Sequence, residues 1–165
     1  MKGNLMLPYF VKFDDLLTST YRSIIKVEGT MLRSLSGSDL TIGEMHMLES
    51  IGRDRAGSTI TDIALSQGIT LPSVTTAIQK LVKKGYVVKE KSASDARSVR
   101  VLLTDMGRRA QVAHRYFHRQ MIKALTRDMT DEERSILLGA LAKLDGFLRE
   151  RAEAGSMSFG GDAKQ

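Results

Sequence analysis

Two groups of residues have the types and spacing to do chemistry. The three histidines of the chain are His46, His114 and His118. The last two stand four residues apart, so on a helix both rings share a face. Glu28 could converge on them from an earlier segment, and three imidazoles with a carboxylate suit tetrahedral zinc. The same side chains could instead brace a junction between helices. A third reading is an adaptable apolar ligand site, since Met31, Met45 and Phe117 lie on the same segments, although methionines at such spacing also serve as plain core.

The second group suits a polyanion. Ser73, Thr75, Thr76 and Gln79 are short enough to approach base edges in a major groove, and a glutamine can make two hydrogen bonds to adenine. Lys80 and Lys83 suit phosphates, as do Ser58 and Thr59 where a preceding helix starts. In "SASDARSVRVLLT", residues 92–104, Asp95 and Arg97 sit at the tip of a hairpin. A guanidinium there fits the negative potential of a narrow minor groove, with the carboxylate orienting it. The plainer reading is a solvated turn beside an ordinary helix surface.

Charge distribution favours the first reading. From Arg53 to Arg109 there are eleven Lys or Arg against five Asp or Glu, whereas the rest of the chain has fourteen of each. A basic block between neutral flanks fits a polyanion-binding module on a neutral scaffold, and argues against a protein-interaction module that has lost DNA binding. Catalysis finds little support, so the chain is expected not to be an enzyme. Cysteine is absent, and there is neither a Gly-rich phosphate loop nor a Ser, His and Asp set with a recognisable elbow. Only the histidine cluster, with an open coordination position, could do hydrolytic work. No apolar run approaches a membrane span, no leader is recognisable, and the lack of cysteine fits a reducing compartment, so a cytoplasmic protein with no membrane partner is expected.

The elements that must position these residues follow from periodicity and caps. Apolar residues at helical spacing predict a long first helix from Tyr9 to Leu35, broken by "SGSD". Thr41 and Glu44 form a capping box for a second helix reaching about Ile51. After a loop, "RDRAGS", come short helices over Ile60 to Ser66 and Leu71 to Lys84, with Gly68 as a left-handed stop, Thr70 as a cap and Pro72 in the first turn. In the latter helix Val74, Ala77, Ile78, Leu81 and Val82 make an apolar stripe opposite the polar set. Gly85 ends it, and "YVVKEK" and "VRVLL" make the strands of a hairpin with Val99, Val101 and Leu103 on one side. A helix runs from Thr104 to about Leu125 through Ala110, Ala113, Phe117 and Met121. "TDEE" at 130–133 caps a last helix with Ile136, Leu137, Leu141, Leu144 and Leu148 on its apolar face. The tail, residues 152–165, is expected to be disordered.

The fold class is therefore mainly α with a small β-hairpin. Residues 41–103 form the DNA-binding domain, with a recognition helix at 71–84 and the hairpin tip at 92–98. The apolar stripes of the end helices, residues 1–40 and 104–151, exceed what one small module could cover. A homodimer would bury them and place two recognition helices in successive major grooves.

"LTIGEMHML", "ITLPSVTTAIQKLVKKGYV", "SDAR" and "LTDMGRR", in this order and spacing, resemble the MarR family of winged-helix transcription regulators, over about residues 10 to 150. The resemblance implies a winged helix-turn-helix, a wing at 92–98, a homodimer built from the end helices and a pseudo-palindromic double-stranded DNA operator. "EMH" at 44–46, "VTTAI" at 74–78 and "HRYFHRQM" at 114–121 most resemble the FabT-type repressors of fatty-acid synthesis genes. That subgroup implies acyl-acyl-carrier-protein as corepressor, with no cofactor required, and the histidines would then contact an acyl chain or brace the junction. Glu28, His46, His114 and His118 also resemble, in spacing, one zinc site of the family's zinc-uptake repressors. A second site in those proteins uses a cysteine, which this chain lacks.

Overall fold

The computed structural model describes residues 6–34, 38–91 and 99–153. Six helices and three short strands follow in the order α1 (Met6–Ser34), α2 (Ile42–Ile51), β1 (Ser58–Thr59), α3 (Ile60–Gln67), α4 (Leu71–Lys83), β2 (Val87–Lys91), β3 (Val99–Leu103), α5 (Asp105–Thr126) and α6 (Asp131–Glu153). The expected wing tip at 92–98, with Asp95 and Arg97, lies outside the described residues, as does the tail from residue 154.

The helices begin where short polar side chains satisfy the first free amides. Thr41 accepts from the amide of Glu44, whose carboxylate accepts from the amide of Thr41. Thr59 with Asp62 and Thr130 with Glu133 repeat this reciprocal pair, and Thr70 accepts from the amide of Ser73. Gly68 stops α3 at φ 63°, in the left-handed region where a side chain is strained.

The strands form one antiparallel sheet in the order β1-β3-β2, with Val101 opposite both Ser58 and Lys89. Strand β1 was not expected, because two residues carry no alternation to read. The core lies almost entirely between α2 and β3. Met45, Leu48, Ile51, Ile63, Val74, Ile78, Leu81, Val87 and Val101 are fully buried, each worth about 1.5–3 kcal/mol against exposure. Met31 and Leu32 tie the end of α1 to it.

Gly107 joins this core to the end helices. A Cβ there would fall on the carbonyl oxygen of Tyr86, so only glycine lets the first turn of α5 press against the start of β2. The amide of Thr104 donates to Tyr86 O at 3.0 Å and its hydroxyl to Gly85 O at 2.7 Å, which pins the same junction.

Two expectations need correction. Val82, read as part of the apolar stripe of α4, is 41% exposed, because it lies at the rim of the buried face. Helix α6 continues through Glu153, so the tail read as disordered from Ala152 begins as helix.

The end helices leave much apolar surface uncovered in the single chain. Tyr9, Phe13 and Leu16 of α1 and Ile136, Leu141 and Leu148 of α6 are all exposed. Patches of that extent on a monomer mark contact surfaces.

Candidate functional site

Helix α4 is divided into two chemistries. Val74, Ile78 and Leu81 are fully buried, while Ser73, Thr76, Gln79, Lys80 and Lys83 are exposed and Thr75 is half-buried. The hydroxyl of Ser73 pairs with that of Thr70, and the hydroxyl of Thr76 donates to Pro72 O at 3.0 Å. Among the described residues no hydrogen bond or ion pair occupies the ends of Gln79, Lys80 or Lys83. Ser58 is half-buried in β1, and both the hydroxyl and the amide of Thr59 donate to the Asp62 carboxylate, at 2.7 and 3.1 Å.

Two basic residues of the block do structural work. Arg100 donates to Gly57 O at 2.7 Å, clasping the loop before β1 to β3. Lys84 donates to Glu44 Oε2 at 2.8 Å and to Asp39 O at 2.6 Å, fastening the end of α4 to the start of α2. Glu44 is buried, which raises its pKa. The Lys84 ammonium and the Thr41 amide and hydroxyl outweigh this and hold the carboxyl below its ordinary range.

The histidines converge as their spacing suggested. Around Glu28, buried on α1, His118 Nε2 lies 3.1 Å from Oε1 and His46 Nε2 3.5 Å from Oε2. His118 Nε2 lies 3.1 Å from His114 Nε2, and His114 Nδ1 lies 3.3 Å from Glu49 Oε1. Burial pushes the His114 imidazole below its ordinary pKa, and Glu49 opposes the shift. Glu49 also pairs with Arg115 at 3.4 Å. A tetrahedral zinc with bonds near 2.05 Å sets its ligand atoms about 3.3 Å apart. His118 Nε2 lies near that spacing from both Glu28 and His114, the ligand atoms of all three lie within 4.8 Å of one another with His46 alongside, and Glu28 Oε2, buried without a hydrogen bond, is a donor atom such an ion would satisfy. The residues present therefore fit the metal.

Beside the cluster an open cavity of about 520 Å³ is lined by Lys26, Val27, Met31 and Phe117, among others. Met45 packs in the core instead of lining it. Sequence reasoning missed Glu49, although its place three residues after His46 puts it on the same side of α2. It also missed the Glu44–Lys84 pair, for which a separation of forty positions leaves no local signal.

Residues 38–98 match the sequence pattern of the MarR family. The chain is 31% identical over 91 residues to an uncharacterised HTH-type transcriptional regulator, YwhA, of Bacillus subtilis; the match covers 54% of this chain and 66% of that protein's length. It superposes on Streptococcus pneumoniae FabT, solved in complex with DNA, with a TM-score of 0.81 at 30% identity, covering 86% of this chain and 98% of that one. Staphylococcus aureus MepR, also solved with DNA, gives 0.65 at 22% identity, covering 79% of this chain and 95% of that one. The regulator SlyA gives 0.71 at 17% identity, covering 87% and 99%. At these identities MepR and SlyA speak for the fold alone.

Proposed function

Because this chain belongs to the MarR family of winged-helix transcription regulators, DNA-binding proteins and not enzymes, we propose that it is a cytoplasmic homodimeric repressor that reads a pseudo-palindromic operator with α4. The observation that carries this reading is the division of α4: an apolar face locked into the core and a polar, cationic face whose ends are unoccupied. Ser73, Thr75, Thr76 and Gln79 meet base edges, Lys80 and Lys83 meet phosphates, and the Ser58 and Thr59 segment supports the backbone contact. Arg97, oriented by Asp95, enters the minor groove. Dimerisation through the end helices covers the exposed faces of α1 and α6. Among the described residues no helix is long and apolar enough to cross a membrane. Footprinting on captured genomic fragments tests the reading. Protection of two half-sites about 10 base pairs apart, centre to centre, is the expected result. A single protected half-site, or none, contradicts it.

The regulated genes are those of fatty-acid synthesis, with acyl-acyl-carrier-protein as corepressor. The likeness to FabT supports this, as does the cavity, where Val27, Met31 and Phe117 wall an apolar space and Lys26 marks its rim. Long-chain acyl-acyl-carrier-protein should tighten operator binding in a gel shift, and unchanged binding would remove this effector.

A second reading is favoured by one observation, the convergence of ligand atoms from Glu28, His114 and His118 within 4.8 Å of one another, with His46 beside them. These four residues would hold zinc, which would tie α1, α2 and α5 together by coordination. Elemental analysis of tag-free protein, with operator binding measured before and after chelation, separates the readings. Stoichiometric zinc whose removal changes affinity supports a zinc-responsive regulator, and metal-free protein with full affinity sets it aside.

A further inference from the structure

Away from the histidine cluster, a cleft of about 220 Å³ opens where the end of α2, strand β3 and the first half of α5 meet. One of its walls is unusual. Gln111 is only 6% exposed, and its amide nitrogen is buried without any hydrogen-bond partner. Buried amide donors are almost always satisfied, so an orphan lining a cleft points to an acceptor that the chain itself does not supply. The arrangement is built around Gly52, because a Cβ there would fall on the Gln111 amide.

The charges around this donor are mostly positive. Arg55, Arg108 and Arg115 line the cleft against one carboxylate, Asp54, whose Oδ1 already accepts from the amide of Ala56 at 2.8 Å. Arg108 and Arg115 are steadied at 3.5 and 3.4 Å by Asp105 and Glu49, neither of which lines the cleft. Arg55 has no ion pair among the described residues. The floor is apolar, from the buried Ile51 and Leu103, with the exposed Val112 also lining the cleft. We propose that this cleft binds a small oxyanion, a carboxylate or phosphate group that accepts from Gln111 Nε2 and is matched by the arginines, with a short apolar body against the floor. Guanidinium groups lining one cleft with a neutral amide donor suit such a group in charge and in hydrogen bonding. The volume limits the body to a few carbon atoms.

Nuclear magnetic resonance on the intact protein tests this directly, with the Gln111 side-chain amide pair assigned by its disappearance in Gln111→Leu. The probes are orthophosphate, isovalerate and the uncharged isovaleramide. Saturable shifts of that pair with either anion support the site; orthophosphate alone would assign it to phosphate groups, and isovalerate alone to carboxylates on an apolar body. Arg55→Ser, on an exposed loop, should weaken the response about tenfold, the loss expected of one charge-assisted contact. Should Gln111→Leu fail to fold, the Arg55→Ser comparison still decides the matter. No saturable shift with either anion, an equal shift with isovaleramide, or full affinity in Arg55→Ser overturns the proposal. Silent probes together with operator binding weakened by Arg55→Ser would overturn it too, assigning the arginines to the DNA backbone.

Discussion

Replacing Lys84 by methionine should destabilise the protein by about 2 kcal/mol, between the cost of losing an exposed ion pair and that of breaking a buried one. Glu44 is only 8% exposed in its side chain and Lys84 23%, so solvent screens the pair only in part. The ammonium lies 2.8 Å from Glu44 Oε2 and 2.6 Å from Asp39 O, and a hydrogen bond to a charged group is worth about 1.5–3 kcal/mol. For a chain of this length that corresponds to a fall of about 4–8 °C in Tm. Thermal unfolding of Lys84→Met, Glu44→Gln and the double variant, at one protein concentration because the proposed dimer would contribute, supplies the assay. The double variant should lose little more than either single one, leaving a coupling of about 1–2 kcal/mol. Operator affinity should fall in parallel, because the pair holds the end of α4, the proposed recognition helix, against α2. If the single effects add to within about 0.5 kcal/mol, the two groups do not act as a pair and the reasoning fails.

The same pair sets an acid limit. Because the folded-state pKa of Glu44 is depressed, its contribution is present above the unfolded carboxylate value and is lost as pH falls through the folded one, so titrated thermal melts of parent and Glu44→Gln should converge in acid. Gly107→Ala should cost about 3 kcal/mol or more, since the new Cβ meets backbone at Tyr86 and not a movable side chain; denaturant unfolding would read it. Leu141→Asp on the exposed face of α6 should convert dimer to monomer in analytical ultracentrifugation. Arg97→Ala should weaken operator binding markedly in a gel shift, and equal affinity would set aside the minor-groove role of the wing.

Local chemistry made much of the fold legible before any coordinates. The Thr41–Glu44 and Thr130–Glu133 boxes, the Thr70 cap and the left-handed Gly68 each lie within a few residues, where caps and turns are decided. The convergence of Glu28, His46, His114 and His118 was readable because two histidines share a helical face and the others lie on helices that must pack nearby. What escaped depends on distant partners. Strand β1 exists only because Ser58 and Thr59 find Val101 and Arg100. Gly52 and Gly107 look like ordinary helix glycines until Gln111 and Tyr86 come to rest against them. The basic block was read as one polyanion surface, yet Lys84 and Arg100 are spent on holding its elements together. Charge counts along a chain do not distinguish such clasps from a binding face.

The salt dependence of operator binding by the parent, Lys80→Ala and Lys83→Ala tests most directly whether α4 meets DNA with its cationic face. Fluorescence anisotropy across a range of salt should give a steep line for the parent, and each variant should weaken binding across sequences while reducing the slope by about one unit. Slopes unchanged in both variants would place the DNA elsewhere on the molecule and contradict the assignment of α4 as the recognition helix.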